Sequence, residues 1–481
     1  MRARPRPPRP VVCALLSLLL LGSAACDARG ERDERVLRVA LPVDVTATED
    51  TGEGGVYTRL IERWEAENEG WEVDVRWLSP RADEQRSQMV VAMQADPAAY
   101  DVLLLDNQWV PEFHERGWLA EVDTGGDGPL AWNGFLGRAR DAVCYEGRAR
   151  AVPFHMDVGL LYYRADLVGP EEVTARIEEN GWRGLLGLAD EVRDEHGLEH
   201  GYTGQFGDYE GLTVNALEFV LGGHPGLEAD SRGTFHGSDG ADGGGADGSD
   251  GGGAEDGCVT SAGASGEFQG LEVLEAGLEP EAGGVIPRAA LEETETESLN
   301  RFRGGEVVFM RHWPRVVPQL QADSESAETL REGLRWVGWA GEAEGGDPAF
   351  GVLRLPAAVL GGNSLAVTGE SPHRDEAWSL VAAMTGQEVQ AEFREAGLLP
   401  ARGSGYRLSD AEDRDVRYWE ELRDAVGEGL LRPRTPYYPY VSEVLRDHVD
   451  TQIRPGSTDP HPEDMVCELN AALAGRVSTC G

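Results

Sequence analysis

The chain has 481 residues and carries 86 acidic against 43 basic side chains, a formal charge of −43 at pH 7. A surface this acidic repels nucleic acid and anionic lipid, so neither is expected as a partner. Every base is an arginine, and the lack of any lysine excludes a phosphate-loop lysine, a Schiff-base lysine and a lysine general base.

At the N-terminus, Arg2, Arg4, Arg6 and Arg9 precede an apolar run over residues 11–21 that only Ser17 interrupts. The run is too short to cross a hydrocarbon core of about 30 Å as a mature helix, but it suits the h-region of a signal peptide over residues 1–25. Ser23-Ala24-Ala25-Cys26 then resembles a bacterial lipoprotein processing site, although Ser23 stands where leucine is usual. The resemblance implies that Cys26 is lipidated, that residues 26–35 are a tether, and that lipid alone holds the protein to the outer face of the cytoplasmic membrane. Four cysteines remain in the mature chain, Cys144, Cys258, Cys467 and Cys480, an even number in an oxidising compartment. Three pairings are open. Cys467 with Cys480 would close a short C-terminal loop, leaving Cys144 with Cys258. No C-x-x-C pair occurs, so neither a zinc knuckle nor a redox motif is supported. His196 and His200, although spaced i, i+4, lack a third ligand, so no metal site is expected.

Residues 36–43 read as a strand, and 45–55 as a polar loop. Val56, Leu60, Ile61 and Trp64 share one helix face, residues 71–78 alternate as a strand, 83–95 are helical and 100–105 form a buried apolar strand. This alternation predicts an α/β fold, a parallel sheet with helices outside it. Ligand sites in such sheets lie beyond the carboxyl ends of the strands, which points to the loop after Val43 and to Asp106-Asn107-Gln108-Trp109. Residues 152–164 read as one strand crossing into a second lobe, followed by helices at 170–180, 185–196 and 212–221. Residues 237–257 contain no large apolar side chain and are expected to be a disordered acidic insert. Their aspartates do not follow calcium-loop spacing. A helix over 268–278 and a strand over 307–310 lead into Arg311-His312-Trp313-Pro314. Strands near 334–339 and 364–367 suggest a return to the first sheet, and residues 372–445 are mostly helical.

Several landmarks in order resemble the family 1 bacterial extracellular solute-binding proteins of ABC importers. They include Tyr100-Asp101-Val102 ending in Asp106 and Trp109, Gly117-Trp118-Leu119, and Val152-Pro153. Further along come Asp157 to Arg164, Tyr209-Glu210-Gly211-Leu212, Phe302-Arg303-Gly304-Gly305-Glu306-Val307, Gly361-Gly362-Asn363-Ser364, Leu399-Pro400-Ala401-Arg402 and Arg432-Pro433-Arg434-Thr435-Pro436-Tyr437-Tyr438. The Arg311-His312-Trp313-Pro314 and Arg432-Pro433 stretches look most like the trehalose- and maltose-binding branch, which tends to carry an aromatic residue where Asn363 stands. The resemblance implies a two-lobed, type II periplasmic-binding-protein-like fold with a ligand cleft between the lobes. Residues 36–152 would begin lobe 1, 153–310 would begin lobe 2, and 311–481 would be shared between them. It also implies a monomer without cofactor that delivers a sugar to two permease subunits driven by a cytoplasmic ATPase.

A sugar presents hydroxyls around a ring with weakly apolar faces, so its site needs bidentate polar groups and an aromatic cover. Asp106 at a strand end, Asp157 interrupting an apolar strand, Trp313 held extended before Pro314, and Arg432 are the leading candidates. Trp109, Glu210, Asn363 and Tyr437 come second. Each has a plainer reading, a helix cap for Asp106, a hinge role for Asp157, core packing for Trp313 and an exposed cation for Arg432. A glycoside hydrolase with Asp106 and Asp157 as its acid pair is a rival. So are a binding protein for a polyamine, metal chelate or peptide, and a lipoprotein that only senses or scaffolds.

Overall fold

The computed structural model describes residues 35–43, 55–125, 130–222, 228–229, 235–236, 269–278, 284–326, 335–342, 349–408, 413–453 and 462–476. Cys26, Cys258, Cys480 and the acidic insert lie outside them. Two mixed sheets organise two lobes. The first has six strands in the order Leu399–Pro400, Val152–Val158, Leu360–Val367, Val102–Asp106, Val36–Pro42, Glu72–Leu78. Val36–Pro42 pairs in parallel with both neighbours. Leu360–Val367 returns from late in the chain and inserts antiparallel between Val102–Asp106 and Val152–Val158. Val102–Asp106 is covered on both faces, which is why it is a continuous apolar run and does not alternate. The helix Val56–Glu67 buries Val56, Tyr57, Leu60, Ile61 and Trp64 against this sheet, the stripe its 3.6-residue spacing predicts.

The second sheet runs Arg335–Trp339, Ala349–Arg354, Leu160–Arg164, Phe309–His312, Tyr202–Thr203. Alternation along Leu160–Arg164 sends Leu160 and Tyr162 into the core shared with the first sheet, and Leu161 and Tyr163 into a second core. That second core is closed by apolar residues from the helices Pro170–His196, Glu210–Gly222, Gln269–Leu278, Tyr438–Ile453 and Pro462–Leu473.

Two sequence expectations are corrected. Residues 152–164 are two strands in different sheets, Val152–Val158 and Leu160–Arg164, and Gly159 joins them. A Cβ on Gly159 would sit 2.1 Å from Glu218 Oε1, so only glycine fits this close approach. Residues 335–339 do not return to the first sheet; they pair in parallel with Ala349–Arg354, and only Leu360–Val367 returns. The helices expected at 170–180 and 185–196 are present, divided by a kink at non-helical Asn180 and Gly181 within Pro170–His196. The chain crosses between lobes at Gly159, again at 355–359, and again at Leu430. The last two crossings are tied by Leu430 N–H donating to the Ala358 carbonyl at 2.9 Å and Leu360 N–H to the Leu430 carbonyl at 2.8 Å. Cys144 and Cys467 are each disulfide-bonded.

Candidate ligand-binding cleft

A cleft opens between the lobes at the carboxyl ends of the first sheet, where the topology places ligand sites. Its empty space is about 910 Å³, open water at the mouth included. The first lobe supplies Pro42 and Val43, Asp106, Asp157 and the Gly361–Gly362–Asn363 turn-in of the returning strand. Register brings these together, because Asn363 lies opposite both Asp106 and His155, and Gly361 opposite Asp157. Gly362 adopts φ +120°, and a Cβ there would meet the His155 carbonyl at 2.5 Å. The second lobe supplies the starts of two helices, with Tyr209 and Glu210 at one and Glu295 at the other, plus Trp313 and Arg315 just beyond Phe309–His312. Acids at helix N-termini suit the positive end of the helix dipole.

Arg432, on the third crossing, bridges the lobes. Its Nη2 donates to Asp106 Oδ1 at 2.7 Å and its Nη1 to Glu210 Oε1 at 2.9 Å. Burial opposes the Arg432 charge, but Asp106, Tyr438 and Glu210 outweigh it and raise its pKa. Glu210 also accepts from the Tyr438 hydroxyl at 2.6 Å and the Ser442 hydroxyl at 3.1 Å. Burial nonetheless pushes its carboxyl up to about 7, against the pull of Arg432 and Tyr438. Glu210 is therefore saturated by the protein, whereas Asp106 commits one oxygen.

The floor is different. Asp157 Oδ1 and His155 Nδ1 are buried with no hydrogen-bond partner, although burying such groups unpaired is costly. Desolvation raises the Asp157 pKa to about 7 despite Arg315, with Asp106 adding to the rise. Desolvation also lowers the His155 pKa to about 4, so the imidazole is neutral at pH 7. Its Nε2 meets the Tyr57 hydroxyl at 3.1 Å, while Nδ1 lies 3.9 Å from Asp157 Oδ2, beyond hydrogen-bond reach. At the opposite wall the Tyr209 hydroxyl donates to Glu295 Oε2 at 2.9 Å. Burial works against the Glu295 charge, but Arg315 and then His312 outweigh it and lower its pKa. Trp313 is extended at ψ 154°, as a residue before proline should be. The Arg311 guanidinium lies 3.8 Å from its ring centroid.

Of the sequence candidates, Asp106, Asp157, Glu210, Trp313, Asn363 and Arg432 line this one cleft. Trp109 and Tyr437 stand away from it. A helical turn begins straight after Asp106, so Trp109 enters the core, edge-on to Tyr438 at 5.4 Å. Tyr437 is 41% exposed and lies against Gly475. The sequence reading missed Tyr57, His155, Tyr209, Glu295 and Arg315. Tyr209 lies within a recognised motif and Arg315 adjoins one, so both were within reach of it; nothing local marks Tyr57, His155 or Glu295.

The family model for bacterial extracellular solute-binding proteins matches residues 48–391. A probable ABC transporter-binding protein of Deinococcus radiodurans is 29% identical over 294 residues, and the match spans 60% of each chain. Among solved structures, the maltose-bound MalE3 protein of T. maritima superposes with a TM-score of 0.65 at 22% identity, covering 92% of this chain and 99% of that one. The GacH receptor of Streptomyces glaucescens, solved unliganded and with acarbose, gives 0.64 at 19% identity, covering 92% of this chain and all of that one. At such identities the two structures establish a shared two-lobed fold. The family consists of binding proteins and not enzymes. With the match extending over most of the chain and the cleft where the fold puts it, this protein belongs to the bacterial extracellular solute-binding protein family.

Proposed function

We propose that the protein captures a sugar in the inter-lobe cleft, a disaccharide such as trehalose or maltose, for delivery to an ABC importer. The observation that carries this reading is the cleft floor. Asp157 Oδ1 and His155 Nδ1 are buried without partners in the cleft that Trp313 also lines, and a sugar offers hydroxyls to the first two residues and a C–H face to the third. Similar structures bound to maltose and acarbose support the same class. Delivery would be to two permease subunits driven by a cytoplasmic ATPase, by a monomer held to the membrane through lipid on Cys26.

Thermal shift of the mature protein against a panel of mono- and disaccharides tests the cargo. A ligand at 100 times its dissociation constant should stabilise by about 2.7 kcal/mol. If no sugar shifts the transition while a polyamine, metal chelate or peptide does, the sugar reading is wrong. Fractionation tests the anchor separately: wild type should partition with membranes and Cys26→Ala should be released.

A further inference from the structure

Arg311 sits where the hinge and the cleft meet, and the sugar-binding reading gives it no role. It is fully buried, as is its partner Glu218. The pair is bidentate, Nε to Oε2 and Nη2 to Oε1, both at 2.8 Å. The remaining guanidinium nitrogen, Nη1, donates to Gln205 Oε1 at 3.0 Å, and Gln205 Nε2 donates back to the Arg311 carbonyl at 3.0 Å. Every nitrogen of the guanidinium thus donates to a fixed partner, and its central carbon lies 3.8 Å over the Trp313 ring centroid.

The same carboxylate touches the hinge. Glu218 Oε1 accepts from Val359 N–H at 3.1 Å, on the second crossing, and fills the space where a side chain on Gly159 would stand, on the first. Trp313 is held at two further points. Its carbonyl accepts from the Tyr162 hydroxyl at 3.1 Å, and its ring edge lies 3.3 Å from where a Cβ on Gly361 would be.

We infer that Arg311 is a positioning residue for ligand recognition: braced by Glu218 against both hinge crossings, it fixes the plane of the Trp313 indole on which the ligand stacks. The alternative is a buried ion pair that only holds the lobe together. Geometry favours the positioning role, because a structural pair does not require the planar face of an arginine under a cleft-lining indole. Lysine would keep the charge but present neither the fork nor the face. The inference rests on Trp313 covering the ligand, as the sugar-binding reading has it.

The test separates indole geometry from folding and from cargo. In protein labelled with 5-fluorotryptophan, the Trp313 resonance is assigned by its loss in Trp313→Phe, and no ligand is needed to read it. Arg311→Lys should move and broaden that resonance and weaken maltose, the probe, at least tenfold. Should Arg311→Lys fail to fold, Arg311→Met with Glu218→Gln removes both buried charges, keeps an acceptor for Val359 N–H, and should give the same two effects. An unmoved Trp313 resonance in a folded variant, or maltose affinity within twofold of wild type, overturns the inference. If Trp313→Ala itself leaves sugar binding unchanged, the failure belongs to the proposed site, whatever the fluorine spectrum shows.

Discussion

At the cleft floor, Asp157 carries the sharpest consequence for function. A hydroxyl donating to its carboxyl group stabilises the ionised form, so sugar binding favours deprotonation. Because burial has raised its pKa to about 7, full affinity is expected above that pH and declines below it, approaching tenfold per pH unit. Among the facing groups, the Arg315, Arg311 and Arg432 guanidiniums favour ionisation, Asp106, two strands away in the same sheet, opposes it, and His155 stays neutral down to about 4. Glu210, also raised to about 7, is paired to Arg432. Calorimetry between about pH 5 and 8 reads it, and Asp157→Asn should flatten the profile. A wild-type profile already flat would remove Asp157 from the site. Trp313→Ala should cost about 2 kcal/mol of affinity without unfolding the protein, as truncated aromatic anchors do. Residue chemistry made these two side chains legible in the sequence: a carboxylate inside an apolar strand and an indole before proline both need explaining. His155 escaped because its significance lies in an unpartnered nitrogen, which depends on what the fold places around it.

Elements whose period and flanks agree were legible, and those that change direction without changing composition were not. The strand over Val102–Asp106 and the helix over Val56–Glu67 follow from apolar run and apolar stripe alone. Residues 152–164 are mostly apolar with no change of period, so periodicity does not reveal that they serve two sheets; Gly159 was the one local sign of a break. The Pro170–His196 kink shows the opposite case, where a gap in the helical reading marks a real feature. Gly181 there has φ +54°, and a Cβ would lie 2.6 Å from the Gly222 carbonyl oxygen at the end of a neighbouring helix. Gly181→Ala combines a left-handed backbone with a clash against main chain, and should destabilise by roughly 1–3 kcal/mol. Chemical denaturation reads the shift in midpoint, and an unchanged midpoint would mean that the kink relaxes freely.

Across the whole molecule, the lobes are joined on one side by three crossings and meet again at Arg81 and Asp83 of the first lobe. Arg446 Nη1 donates to Asp83 Oδ2 at 2.8 Å and lies 3.5 Å from Asp208 Oδ1. Arg81 Nη2 donates to the Asp208 carbonyl at 2.9 Å, and its guanidinium sits 5.5 Å over the Tyr209 ring. None of this was readable from sequence, because the partners lie more than 100 residues apart and their charges are ordinary surface charges among many. The Arg446–Asp83 and Arg81–Asp208 contacts exist only while the lobes are together, so they favour the ligand-holding arrangement over an open one. Arg446 and Asp83 are partly exposed, and each such pair is worth about 0.2–1 kcal/mol. Arg446→Gln should therefore weaken sugar binding by a few fold, mainly through faster release, since the cleft lining is unchanged. Salt gives the independent check. Raising ionic strength to about 1 M shortens the screening length to about 3 Å, which should weaken wild type and leave Arg446→Gln nearly unaffected. A double-mutant cycle with Asp83→Asn then isolates the pair, because its coupling vanishes if Arg446 acts only on the packing of its own helix. Equal salt sensitivity in wild type and variant, with no coupling in the cycle, would show that the Arg446–Asp83 pair does not contribute to closure.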